Sequence, residues 1–270
     1  MMTLLAISII AVVLFAGLLT RELLIEKHSR DFYTRMLAAV ERNPREPGTG
    51  QGAGQGDGSP VLPGDQTGQE NRPLVPPLVP FLPYVDFEAL DEKYPGITAW
   101  IKLDGSPIDY PVMQYTNNDH FLHHLPDGQQ HRSGSVFLDY RNNKDFSDKS
   151  ILIYGHESRG GGLFGSLNNY REQEYFNNNP VIELYTPEAD YKIIIFAVHL
   201  AHSQRDHPPL SFTDDDDFMR YIGELKRISL VSSDVSVSPE DIIVSLCTCA
   251  SDFNDARLIV AGVLRTPNGA

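Results

Sequence analysis

Hydrophobic and polar positions divide the chain into stretches of unlike character. Residues 3–20, TLLAISIIAVVLFAGLLT, carry no charge and few polar groups. As a helix this run would measure about 27 Å, close to the hydrocarbon thickness of a bilayer. No convincing small-residue cleavage site follows it, so the pattern predicts a retained transmembrane anchor over residues 1–20. In residues 21–42, Leu24, Phe32, Met36, Leu37 and Val40 form a rough helical stripe beside many charges. That is the pattern of a juxtamembrane helix. Residues 43–83 hold GTGQGAGQGDG and then PLVPPLVPFLP. Such a composition builds no core and predicts a tether, flexible first and semi-extended later. Residues 84–270 alternate short apolar runs with turn signals and suffice for one sizeable core.

Within that last part the periodicity predicts short elements. Helices are expected at Phe87–Tyr94 and Asn118–Leu125, through Phe164–Phe176, and at Thr213–Ile228, the longest. Strands are expected at Ile97–Leu103 and Ile108–Gln114, around an Asp104-Gly105 hairpin turn. Further strands fall at Ser135–Tyr140, Ser150–Gly155, Val181–Tyr185 and Tyr191–His199. Two β-branched runs near the C-terminus, Ile242–Val244 leading to Cys249 and Leu258–Val263 preceded by Arg257, complete the set. Many short strands with helices inserted late predict a mainly β domain, a closed or nearly closed barrel with decorating helices.

Charge narrows the function. A formal net charge of −14 argues against a nucleic-acid binder, which needs a basic face. Two cysteines at i, i+2 cannot build a disulfide framework, and their scarcity fits an extracellular protein or a cytosolic one. Orientation is ambiguous from charge alone. Arg21, Lys27, Arg30 and Arg35 follow the anchor, which taken literally leaves the large domain inside.

Chemistry collects at strand ends. Cys249 closes one strand and Arg257 opens the next, so neighbouring strands would put both at one end of a sheet. A thiol with a pKa near 8.5 is only about 3 % ionised at pH 7. A cation helps, but a cysteine nucleophile normally also needs a histidine as proton carrier. His156 also ends a strand and precedes Gly160-Gly161-Gly162. The bland alternative is a small core cysteine and a surface arginine.

Tyr154-Gly155-His156, followed by Leu163-Phe164-Gly165-Ser166-Leu167, resembles the histidine motif of sortases. Ser245-Leu246-Cys247-Thr248-Cys249 is similar to their TLxTC signature with serine first, and the strand from Arg257 resembles their catalytic-arginine strand. The blocks ITAWIKLDGSPIDYPVMQ and GSVFLDYRN, with the long helix ahead of the cysteine strand, resemble class B in particular. The resemblance covers residues 84–264. It implies a membrane-anchored cysteine transpeptidase with the sortase β-barrel and no cofactor or metal. Cys249 would attack a threonine carbonyl in a C-terminal sorting motif of a secreted protein. His156 would carry the proton and Arg257 would stabilise the oxyanion. The acceptor would be a cell-wall precursor amine, or a pilin amine in a polymerising enzyme. Substrates outside the cell place the catalytic domain outside, on a single-pass anchor in the cell membrane.

Other features have plainer readings. Cys247 shares a strand face with Cys249 and reads as a packing residue; a thiol redox protein using the Cys247/Cys249 pair is the rival, although an i, i+2 disulfide is strained. A non-catalytic, tethered surface-binding domain is a third reading. Asp214–Asp217 suit a helix N-terminus, with Thr213 as its cap, rather than calcium. His120, His123, His124 and His131 have no cysteine or carboxylate at ligand spacing for zinc, and with His120 and His124 four apart on a short surface helix they read as solvated. Asn118 resembles a family position near the site.

Overall fold

The computed structural model describes residues 2–40, 85–157 and 161–266. Eight strands, β1 (Ile97–Lys102), β2 (Asp109–Met113), β3 (Val136–Leu138), β4 (Ser150–Tyr154), β5 (Val181–Tyr185), β6 (Asp190–His202), β7 (Ile243–Cys249) and β8 (Ala256–Arg265), form a closed barrel. Their order around it is β1-β2-β3-β4-β7-β8-β6-β5, and β5 pairs with β1 to close the ring. Closure removes the free edges that a sheet of this size would otherwise expose. The β2/β3 and β4/β7 pairs are parallel and the others antiparallel. The mainly β barrel with added helices is therefore the architecture the periodicity predicts.

Alternation sorts side chains between the two faces of the barrel wall. Ile101, Ile153, Leu184, Val198, Leu246 and Val260 join the central core. A second cluster on the outer face, with Ala197, Ile243, Ala261 and Val263, receives Phe218, Ile222 and Leu225 of helix α5 (Asp215–Ile228). The β6/β8 register slips between Ile195 and Ala197, and Phe196 joins Ala197 in that outer cluster. The cap of α5 is Asp214, not Thr213: its side chain accepts from Asp217 N at 2.8 Å. Thr213 N instead donates back to the Asp217 carboxylate at 3.1 Å, so two helix-end donors are satisfied reciprocally.

Other helices are shorter than their patterns suggest. Helix α2 (Phe87–Lys93) has its expected position, but α3 is a single turn, Asp119–Leu122. The stretch after the histidine loop splits into a 3-10 turn, Gly165–Arg171, and helix α4, Gln173–Asn178.

At the N-terminus one uninterrupted helix, α1 (Met2–Val40), spans both the expected anchor and the juxtamembrane segment. Its second half packs on the barrel. Phe32, Tyr33, Met36 and Val40 are buried, whereas Leu24 of the expected stripe is exposed. Tyr33 stands edge-on to Tyr110 of β2. The side chains of residues 2–11 lie outside the described set, and the expected anchor falls largely there. Among the described residues no helix is long and apolar enough to cross a membrane. The expected tether, residues 43–83, also lies outside the described residues.

Candidate active site

Register brings the three chemistry-bearing side chains together. β4 and β7 run parallel with Tyr154 opposite Cys247, and Gly155 N donates to Cys247 O at 3.1 Å. Two residues further on, just past the end of β4, His156 comes at the same end of the sheet as Cys249. On the other side of β7, Cys249 is the direct antiparallel partner of Arg257 in β8. His156, Cys249 and Arg257 line one cleft, with Asn118, Leu122, Tyr154, Ser203 and His207 among its walls.

Local packing holds each of them. Gly155 leaves no room for a side chain, because a Cβ there would meet Phe164 Cγ at 2.6 Å. Phe164 is fully buried and its N–H donates to His156 O at 3.1 Å, so the chain folds back onto the histidine. The His156 Nε2 sits 2.8 Å from Leu122 O. A carbonyl only accepts, so Nε2 carries the hydrogen and Nδ1 is the nitrogen left for proton exchange. Arg257 donates one bond from Nη1 to Ala256 O at 3.0 Å. A guanidinium has five such donors, which leaves others to face the cleft.

The two cysteines differ sharply. Cys249 is partly exposed at the cleft, while Cys247 is buried with Ala201, Ile259 and Tyr154. Burial is the largest influence on Cys247 and pushes its thiol up to about 12; Arg257 opposes this and Cys249 adds to it. The packing reading of Cys247 fits this environment. Ser245, the hydroxyl that stands first in the cysteine signature, is fully buried, with its Oγ unpartnered among the described residues.

A polar network that the sequence pattern does not show lies behind the cleft. The buried Asp139 carboxylate accepts from Arg141 Nε at 2.9 Å and Nη2 at 2.8 Å, from Asn118 Nδ2 at 3.1 Å and from Tyr154 Oη at 3.1 Å. Burial works to raise its pKa, but the Arg141 and Asn118 bonds outweigh burial and hold it at about 2. The Tyr154 hydroxyl proton is thus committed to Asp139. The His207 Nε2, 3.3 Å away, must then be the donor to the Tyr154 oxygen. Asn118 is placed by this network and also accepts from Tyr140 N at 3.0 Å. Nothing in the sequence around His207 ties it to the cleft; the β6–α5 loop that carries it does so only in three dimensions.

The histidine cluster needs one correction. His120 of α3 and His124, just after its end, stack at 4.4 Å. His131, however, is buried at 8 % exposure rather than solvated, under His28 of α1. No group of metal-holding side chains occurs among the described residues.

No protein-family model matches the chain. Sortase B of Listeria monocytogenes is 32 % identical over 183 residues, covering 67 % of this chain and 73 % of that protein. That decides the family. The chain belongs to the class B sortases. Staphylococcus aureus sortase B is 28 % identical over 182 residues, covering 66 % of this chain and 75 % of that relative. Its substrate complex superposes with a TM-score of 0.64 at 28 % identity, over 67 % of this chain and 85 % of that one. The Clostridium perfringens sortase B structure gives 0.63 at 30 %, over 66 % and 99 %. A sortase B complexed with triglycine also matches, at 0.64 and 28 %, over 67 % of this chain and 86 % of that one. Class B membership makes this protein a sortase-type cysteine transpeptidase, and the barrel described above is the sortase B barrel.

Proposed function

We propose that this sortase cleaves a C-terminal sorting motif of secreted proteins at a threonine and transfers the product to a cell-wall amine. The observation that carries the reading is the register: Cys249 and Arg257 are partners on adjacent strands, His156 follows the end of β4 on the other side of β7, and the three line one cleft. The relatives solved with substrate and with triglycine support a sorting-motif donor and an amine acceptor.

In the proposed cycle the Cys249 thiolate attacks the threonine carbonyl while His156 is an imidazolium. Arg257 donates to the carbonyl oxygen as it becomes an oxyanion. Its planar, permanently charged fork suits a fixed donor. The tetrahedral adduct collapses when the C–N bond breaks, and His156 Nδ1 protonates the departing amine. A thioester on Cys249 and a neutral imidazole remain. The acceptor amine then attacks the thioester, His156 Nδ1 takes its proton, and the thiolate leaves with a new amide formed. Attack by water instead of the amine would give hydrolysis.

The apolar run of residues 3–20 supports a single-pass anchor, with the barrel held on the outer side where such substrates lie. The thiol redox rival is disfavoured by the burial of Cys247, whose neutral thiol is a poor partner in exchange. A sortase that polymerises pilins would use the same residues and differ only in its acceptor.

The test is cleavage of a peptide library by the full-length chain, with and without candidate amines. Activity should require Cys249, His156 and Arg257 together. Full cleavage by Cys249→Ala would overturn the reading, and loss on mutating Cys247 with no need for Arg257 would favour the redox rival.

A further inference from the structure

We propose that Tyr33, on helix α1, is a positioning residue for His156, so that the segment leading from the N-terminus helps to hold the catalytic imidazole. The proposal rests on the reading of His156 as proton carrier. Two separate routes lead from this one side chain to that histidine.

The first runs through a ring contact. Tyr33 is buried and stands edge-on to Tyr110, with ring centroids 4.9 Å apart at 82°. The Tyr110 hydroxyl accepts from Leu163 N at 3.1 Å. Leu163 is buried, has the left-handed φ of 49°, and is bridged to Glu157. It therefore closes the loop that leaves His156, and the next residue, Phe164, donates to His156 O. A non-glycine residue in that backbone region is held there by its surroundings. The Tyr110 hydroxyl is one of those surroundings.

The second runs through the acceptor of the imidazole. The Tyr33 hydroxyl donates to Gly134 O at 3.4 Å. Gly134, with φ 54°, lies so close to α3 that a Cβ on it would come within 2.4 Å of Phe121 O and 2.6 Å of Leu122 O. Ser135 N donates to Phe121 O at 2.8 Å, fixing this approach. Leu122 O is the carbonyl that receives His156 Nε2. The same tyrosine thus backs both the loop that follows His156 and the carbonyl that orients its ring. Small displacements of a reacting group are costly to rate, so a loosened clamp should act on turnover more than on binding.

The experiment compares wild type, Tyr33→Ala and Tyr33→Phe as full-length chains in detergent. It measures kcat and KM for peptide cleavage, melting temperature, and the nitrogen-attached proton signal of the His156 ring by NMR. Tyr33→Ala should lower kcat at least about tenfold with KM little changed, and its His156 Nε2–H signal should shift or exchange away. Tyr33→Phe keeps the ring contact but loses the bond to Gly134 O, and should recover only part of the turnover. A wild-type kcat and an unmoved His156 signal in Tyr33→Ala would overturn the proposal. So would losses that merely track the unfolded fraction in both variants. If wild type cleaves no sorting peptide, the proposed function fails, and the NMR signal still decides whether Tyr33 positions the ring.

Discussion

Cys249 and Arg257 face each other as direct partners across β7 and β8, although eight positions separate them along the chain. The loop between them is anchored by a bidentate pair between Asp252 and Arg171 at 2.8 and 2.6 Å. A guanidinium held at this register can serve an oxyanion on the carbon that Cys249 is proposed to attack. Arg257→Ala should therefore lower kcat by about 10²–10³-fold, the cost of one oxyanion donor. Arg257→Lys keeps the charge but loses the rigid fork, and should restore only part of that activity. Steady-state kinetics on a cleaved peptide measure both.

The contrast between the cysteines predicts selective labelling. At pH 8 an alkylating reagent should modify Cys249 and spare Cys247, whose buried thiol stays protonated far above that pH. Cys247→Ala should keep most transpeptidation while leaving a small cavity beside Ile259 and Tyr154. Peptide mapping of the labelled native protein shows which sulfur has reacted.

Gly155→Ala tests the fit that seats His156. The added methyl would collide with Phe164, which is fully buried and cannot swing aside cheaply. Overpacking of this kind typically costs about 1–3 kcal/mol, read as a lower midpoint in urea unfolding. Turnover should fall as well, because Phe164 N also holds His156 O.

Asp139 predicts a pH window. Its folded carboxyl is held at about 2, below its ordinary value of 3.8. The stability it contributes is thus fully present above the ordinary value and is lost as pH falls through about 2. Asp139→Asn should be less stable than wild type at neutral pH, and the difference should shrink as acid titrates the wild-type carboxylate. Thermal unfolding of both proteins between pH 6 and pH 2 checks the convergence.

Much of this was legible in the residues. Strands β4 and β8 are largely apolar runs and β7 opens on one; His156 follows the end of β4, Cys249 ends β7 and Arg257 stands at the start of β8, so strand adjacency could bring the three together. The barrel followed from the number and shortness of such runs. Less legible were features that depend on contacts between distant segments. Phe32, Met36 and Val40 carry a helical stripe, but the stripe does not say that it docks on β2, nor that Tyr33 beside it reaches Tyr110 and Gly134. His131 lies among polar residues in sequence, and its contact with His28 of α1 comes from a segment about a hundred residues away. The Asp139–Tyr154–His207 network joins three segments whose local patterns carry no sign of one another, so no periodicity could have found it.

The central claim is that an acyl group passes through the sulfur of Cys249, and intact-protein mass spectrometry of an acid-quenched reaction tests it most directly. With a cleavable sorting peptide, wild type should gain the mass of the acyl fragment. The adduct should map to Cys249 and disappear when a competent amine is added. An adduct on Cys247, or cleavage with no adduct and undiminished in Cys249→Ala, would contradict the account.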